Sequence, residues 1–161
     1  VSQFARGQHD FDFLHGKWNV RSRVLARRLQ GSTEWTEFQA TQECYPVLGG
    51  SGNVDHFHGV LTDGTKVEGM SIRLFDPSDG AWRIYWADNR HAEIGPPVQG
   101  SFTDGVGRFE GKDIEGGQPV DVIFHWTDIT ADSAKWAQQF SADGGQTWEL
   151  NWEMYFTRVA S

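Results

Sequence analysis

The chain has 161 residues, 38% of them hydrophobic, with 14 Lys and Arg against 22 Asp and Glu and a formal charge of −8. That length suits one globular domain spanning residues 1–161, on a prior of roughly 150 residues per domain. The acidic balance excludes a sequence-independent nucleic-acid binder, which displaces phosphate counterions with clustered Lys and Arg, and the longest basic tract is Arg27-Arg28.

No run of about 18 apolar residues offers a membrane span, so no membrane partner is expected. The first residues lack the charged head and apolar core of a secretory leader. The lone Cys44 has no disulfide partner within the chain, which fits a reducing, cytoplasmic setting.

The aromatic content is 8 Trp, 11 Phe and 3 Tyr, and many of the 19 Gly fall in short clusters between aromatic and β-branched runs. Frequent turns between such runs predict an all-β sandwich or barrel. In chain order, one helical turn is expected at Phe11 to Leu14, capped by Asp10 and ending at Gly16. Strands are then expected over Lys17 to Leu25, Glu34 to Cys44, Asn53 to Val60, Lys66 to Phe75 and Ala81 to Asp88. A second set runs over Val98 to Thr103, Gly107 to Lys112, Val120 to Thr127, Ala134 to Ser141 and Thr147 to Arg158. Asp63-Gly64, Asp104-Gly105 and Asp143-Gly144 carry hairpin chemistry, and Asp76-Pro77 opens a turn. Each of about ten strands can therefore pair with the one before it.

Residues i and i+2 share one side of a strand, so alternation assigns faces. Trp148, Leu150, Trp152, Met154 and Phe156 form one row, expected inside; Val120, Val122, Phe124 and Trp126 form another. Trp136, Gln138 and Phe140 make a third, and Trp82, Ile84, Trp86 and Asp88 a fourth. Gln138 and Asp88 are polar members of inward rows and need a partner, a water or a ligand if buried.

Phe13-Leu14-His15-Gly16-Lys17-Trp18 resembles the calycin Gly-x-Trp element that closes one barrel end, and Arg158 stands where the last-strand arginine of that family meets it. His9 to Leu14, Leu48 to Asp55, Leu74 to Pro77, Tyr85 to Asp88 and Phe140 to Glu149 together resemble a bacterial calycin-like domain family of unknown function. The resemblance implies a single antiparallel up-and-down barrel with a central cavity, and it brings no activity with it. Trp18 and Arg158 are read as barrel-floor packing with cation–π attraction.

A barrel of eight to ten strands is either filled by side chains or holds one small molecule. Trp86, Asp88, Gln138 and Trp152, with Arg73 to orient, make the mostly apolar and sparsely polar set that small-molecule pockets use. The expected partner is a small apolar or aromatic molecule. The alternative is a cofactor-independent acid/base enzyme of isomerase, cyclase or lyase type, with Asp88 or His56 moving the proton. Asp55 beside His56 is a second acid/base pair, while Cys44 has no adjacent His and no Gly-x-Ser-x-Gly is present.

His56 and His58 share a strand face in the manner of metal ligands, but a third ligand is wanting and solvent contact is the simpler reading. No cofactor is expected. Haem in particular lacks a late-strand His after His125, with Met154 the only soft ligand on the last strand.

Overall fold

The computed structural model describes residues 6–160; residues 1–5 and 161, the ends of the expected 1–161 domain, lie outside the described residues. Ten strands are present among the described residues. They are β1 (Gly16–Leu25), β2 (Trp35–Val47), β3 (Gly52–Val60), β4 (Lys66–Asp76), β5 (Ala81–Asp88), β6 (Val98–Thr103), β7 (Val106–Glu115), β8 (Gln118–Thr127), β9 (Ser133–Ser141) and β10 (Glu149–Arg158). Each pairs antiparallel with its sequence neighbours, and β1 pairs with β10 to close the barrel. The only helix among the described residues is two 3₁₀ turns, Asp12–Leu14 and Leu48–Gly50. The all-β architecture expected from the turn spacing forms, in the up-and-down barrel that the calycin resemblance implies. No helix among the described residues is long and apolar enough to cross a membrane.

Turn chemistry sets the connections. Asp104 and Gly105 both have positive φ, 51° and 77°, the paired left-handed geometry of a two-residue hairpin whose twist matches the flanking strands. The first 3₁₀ turn departs from expectation, because its N-cap position is Phe11 and no side chain caps it. Asp10 instead uses its backbone N–H to bond the Gly7 carbonyl at 3.1 Å.

One barrel end is closed by aromatics. Phe11, fully buried, meets Trp82 and Phe102 edge-on at 5.1 and 4.9 Å and stacks on Phe109 at 5.5 Å. Beside it Trp18 donates its indole N–H to the Leu14 carbonyl at 2.9 Å. Arg158 lies over the Trp18 ring, 4.1 Å from its centroid. Its fork donates to the carbonyls of His15 and Phe13, both at 2.6 Å, and its Nε to Ala131 at 2.8 Å. One guanidinium thus ties the N-terminal segment and the β8–β9 loop to the end of β10.

The last strand corrects one face assignment. Trp152, Met154 and Phe156 point inward as alternation requires, whereas Trp148 and Leu150 are exposed. The register slips between Leu150 and Trp152, which pair with the adjacent residues Gln139 and Gln138. Asn151 is the extra residue of a β-bulge, and a bulge reverses the faces beyond it.

Trp18→Ala should lower stability by about 3–5 kcal/mol, the range for emptying a buried Trp site. Arg158→Lys should cost about 2 kcal/mol although charge is kept, because a single ammonium cannot span three carbonyls and stack on an indole. Urea midpoints of both variants check the floor assignment.

Candidate functional site

Away from the floor the interior is not filled. A cavity of about 120 Å³ lies between the aromatic floor and the far end of the barrel. Its apolar wall is an edge-to-face series. Phe57 meets Trp86 at 6.1 Å, Trp86 meets Trp152 at 6.5 Å, Trp152 meets Trp136 at 5.5 Å and Trp136 meets Phe124 at 4.9 Å. Trp86 reaches this position because Gly69 lies beneath it: a Cβ there would fall 2.0 Å from the indole. Trp152 is fixed by its N–H, which donates to Ser22 Oγ at 2.7 Å.

The mouth follows from two prolines. β5 and β6 pair only over Trp82 to Ile84 against Gly100 to Val98. Pro96 and Pro97 precede Val98 and have no backbone N–H, so the ladder cannot extend past them. Tyr85 to Asp88 therefore part from β6, and Gly95 and Pro96 line the cavity opposite Lys112 and Asp113 of β7. The Gly95 N–H bonds the Trp86 carbonyl at 3.0 Å, which fixes the lip.

The wall opposite Trp136 is polar. Arg73 and Asp55 are buried, and Arg73 Nη1 lies 2.6 Å from Asp55 Oδ2, an ionic contact off the angle of a good hydrogen bond. The same Nη1 donates to Asn53 Oδ1 at 3.0 Å, and Asp55 Oδ1 accepts the Ser71 N–H at 3.1 Å. Arg73, Ser71 and Gln42 line the cavity. Arg73 Nε and Gln42 Nε2 are buried without a hydrogen-bond partner. Cys44, behind this group, has its thiol pushed up to about 12 by burial, with Arg73 and Asp55 acting in opposite directions on it, which favours the thiol over the nucleophilic thiolate.

Of the residues singled out in the sequence, Trp86, Gln138, Trp152 and Arg73 line this one cavity. Gln138 donates to the bulge residue Asn151 at 2.9 Å, so its amide is satisfied within the wall. Asp88 is not a lining residue. It accepts from the Trp86 indole at 3.2 Å, the Arg90 N–H at 2.9 Å, the Arg90 guanidinium at 3.1 Å and a His91 nitrogen at 3.1 Å. Burial pushes its carboxyl up, but these donors outweigh that and hold it down at about 2. Asp88 thus anchors its own turn through Arg90 and His91.

His56 and His58 are exposed on the outer face, since their strand neighbours Asp55 and Phe57 point inward. His58 Nδ1 is 3.6 Å from Glu68, and among the described residues no three His, Cys, Asp or Glu side chains gather as metal ligands. His125 faces outward beside Arg108, with burial and then Arg108 lowering its pKa. Met154 lines the cavity, and no His does.

Gln42, Ser71 and the Asp55–Arg73 pair were missed as a group. Gln42 had a readable signal, because alternation sets it in the row of Phe38, Ala40 and Cys44, as Gln138 stands in the row of Trp136.

No family model matches the chain, and no curated protein matches it. Solved structures do share its fold. The S-type phycobiliprotein lyase CPES from Guillardia theta superposes with a TM-score of 0.70 at 9% identity, covering 96% of this chain and 93% of that one. Rv2717c from M. tuberculosis gives 0.66 at 14% identity, with 99% of each chain covered. EF1p2_mFAP2b bound to DFHBI gives 0.52 at 11% identity, covering 95% of this chain and 99% of that one. At such identities the likeness shows the fold alone. The fold is a closed, ten-stranded antiparallel barrel, and the resemblance to a bacterial calycin-like domain family finds no matching model.

Because the Asp88 pKa is depressed on folding, its stabilisation is present above the ordinary value of 3.8 and is lost as pH falls toward about 2. Asp88→Asn should lower stability by about 1–2 kcal/mol at neutral pH. Near pH 2 the variant and the parent should melt together, which a series of thermal unfolding curves reads directly.

Proposed function

We propose that the protein binds one small, planar, largely apolar molecule in the barrel cavity. The carrying observation is the unfilled space walled by Trp86, Trp136 and Trp152 in a chain that fills its other end with aromatics. An apolar cavity of about 150 Å³ holds benzene, so about 120 Å³ suits a body of one ring, with longer substituents leaving by the mouth at Gly95 and Pro96. Indole faces supply the apolar contact, and Gln138 and Arg73 form polar edges that favour one orientation.

Two of the similar barrels support this reading. One was solved bound to DFHBI, and another is a phycobiliprotein lyase. A lyase among the similar barrels is also compatible with the acid/base alternative, but its candidate residues favour it less: Asp88 accepts four hydrogen bonds within its own turn, and His56 is exposed on the outer face.

Toluene should bind saturably, seen by ligand-observed NMR and by a change in tryptophan fluorescence. Val122→Phe should abolish that binding by filling the cavity, at a stability cost of about 1–3 kcal/mol, with the far-UV circular dichroism unchanged. Equal toluene binding by both proteins would remove the cavity as the site. Native mass spectrometry of protein purified from its host would report the mass of any resident molecule.

A further inference from the structure

We infer that the molecule this cavity takes is neutral and carries a hydrogen-bond acceptor of the carbonyl type, directed at Arg73 and Gln42. This rests on the binding reading above and adds the polar chemistry of the ligand to it.

The sign of the polar group comes from Arg73. Arg73 lines the cavity, and its Nε is buried with no acceptor among the described residues. A guanidinium N–H only donates, so whatever completes it must accept. Gln42, a second residue lining the cavity, likewise has its Nε2 buried with no partner among the described residues. Leaving such groups unmade is costly in a dry interior, whereas the barrel had room to replace both with apolar side chains.

The charge comes from Asp55. Arg73 Nη1 sits 2.6 Å from the Asp55 carboxylate, with Asp55 and Arg73 both more than nine-tenths buried, so the pair is neutral as it stands. A ligand carboxylate placed at Arg73 would add a second anion around one cation. The other cation on the cavity, Lys112, is at the mouth and already donates to Asp121 at 2.8 Å. An ionised head would thus be buried without a counter-charge, which is strongly unfavourable. A ketone, a quinone-type oxygen or an amide carbonyl meets the donors without that penalty.

Three near-isosteric probes separate the possibilities: acetophenone, α-methylstyrene with a methylene in place of the carbonyl oxygen, and benzoate with a charge. Dissociation constants from ligand-observed NMR should rank acetophenone about tenfold tighter than α-methylstyrene, the size of one hydrogen bond from a charged donor. Benzoate at neutral pH should bind no better than α-methylstyrene. Gln42 lies outside the ion pair, so Gln42→Leu should fold, and it should shrink the acetophenone preference to about threefold or less. If α-methylstyrene equals or beats acetophenone, or if benzoate binds tightest, the inference is overturned while cavity binding stands. If none of the three saturates, and toluene does not either, the binding reading fails first and takes this inference with it.

Discussion

The pairing of β1 with β10, from Trp18 opposite Arg158 to Val24 opposite Trp152, is the contact on which the rest of the molecule depends. It removes both edges from a ten-stranded sheet, and a sheet without edges has one inside of fixed girth. Every strand must then offer alternate residues to a volume it cannot adjust. At the Arg158 end that volume is filled by Phe11, Trp18, Trp82 and Trp126, all at most 2% exposed. Large aromatics do this well because each buries about 150–250 Å². The carbonyls of Phe13 and His15, held by Arg158, draw the segment before β1 across the end as a plug.

The same closure explains why the other half can stay open inside. Its wall is continuous except where Pro96 and Pro97 cannot donate to β5, so the sheet slackens there and nowhere else is a ladder as short. The polar wall opposite is costly by itself. A buried ion pair is weak support for stability, since desolvation cancels much of its attraction. Asp55 and Arg73 also leave donors unmet around them. That arrangement borders the cavity and not another packed wall, and it is where the binding proposal draws its polar chemistry.

Most of the architecture was legible in the sequence. Turn residues at regular spacing and period-two rows are local signals, and a closed antiparallel barrel is built from local pairings, so strand order followed. What was not legible depends on contacts distant in sequence. The Asn151 bulge is one: Asn151 is pulled inward by Gln138 on β9, and no pattern within β10 announces it. Trp148 and Leu150 are turned out as a result, while the hairpin before them is tied by Asp143, which accepts from Ser141 Oγ at 2.8 Å and the Thr147 N–H at 2.9 Å. The polar wall is the other. In β3 the two histidines drew attention because of their chemistry, but the row that faces the interior is Asn53, Asp55 and Phe57. That Asp55 meets Arg73 follows only from the β3–β4 register, in which Asn53 is the residue opposite Arg73.

Asp88 shows how a residue can matter to a cavity it does not line. Its carboxylate takes the indole N–H of Trp86, which is wall, and the Arg90 and His91 groups, which begin the loop to the mouth. Trp86 in turn accepts the Gly95 N–H on its own carbonyl, and Asn89 exchanges hydrogen bonds with Glu68 on β4, its N–H donating at 2.9 Å and its Oδ1 accepting at 3.1 Å. The aromatic wall and the lip are therefore one hydrogen-bonded unit anchored on a single ionised oxygen pair. Because Gly95 is bonded to the Trp86 backbone, a displacement of the lip must either break that bond or pull on the residue whose indole Asp88 holds. The mouth and the apolar face of the cavity are set together.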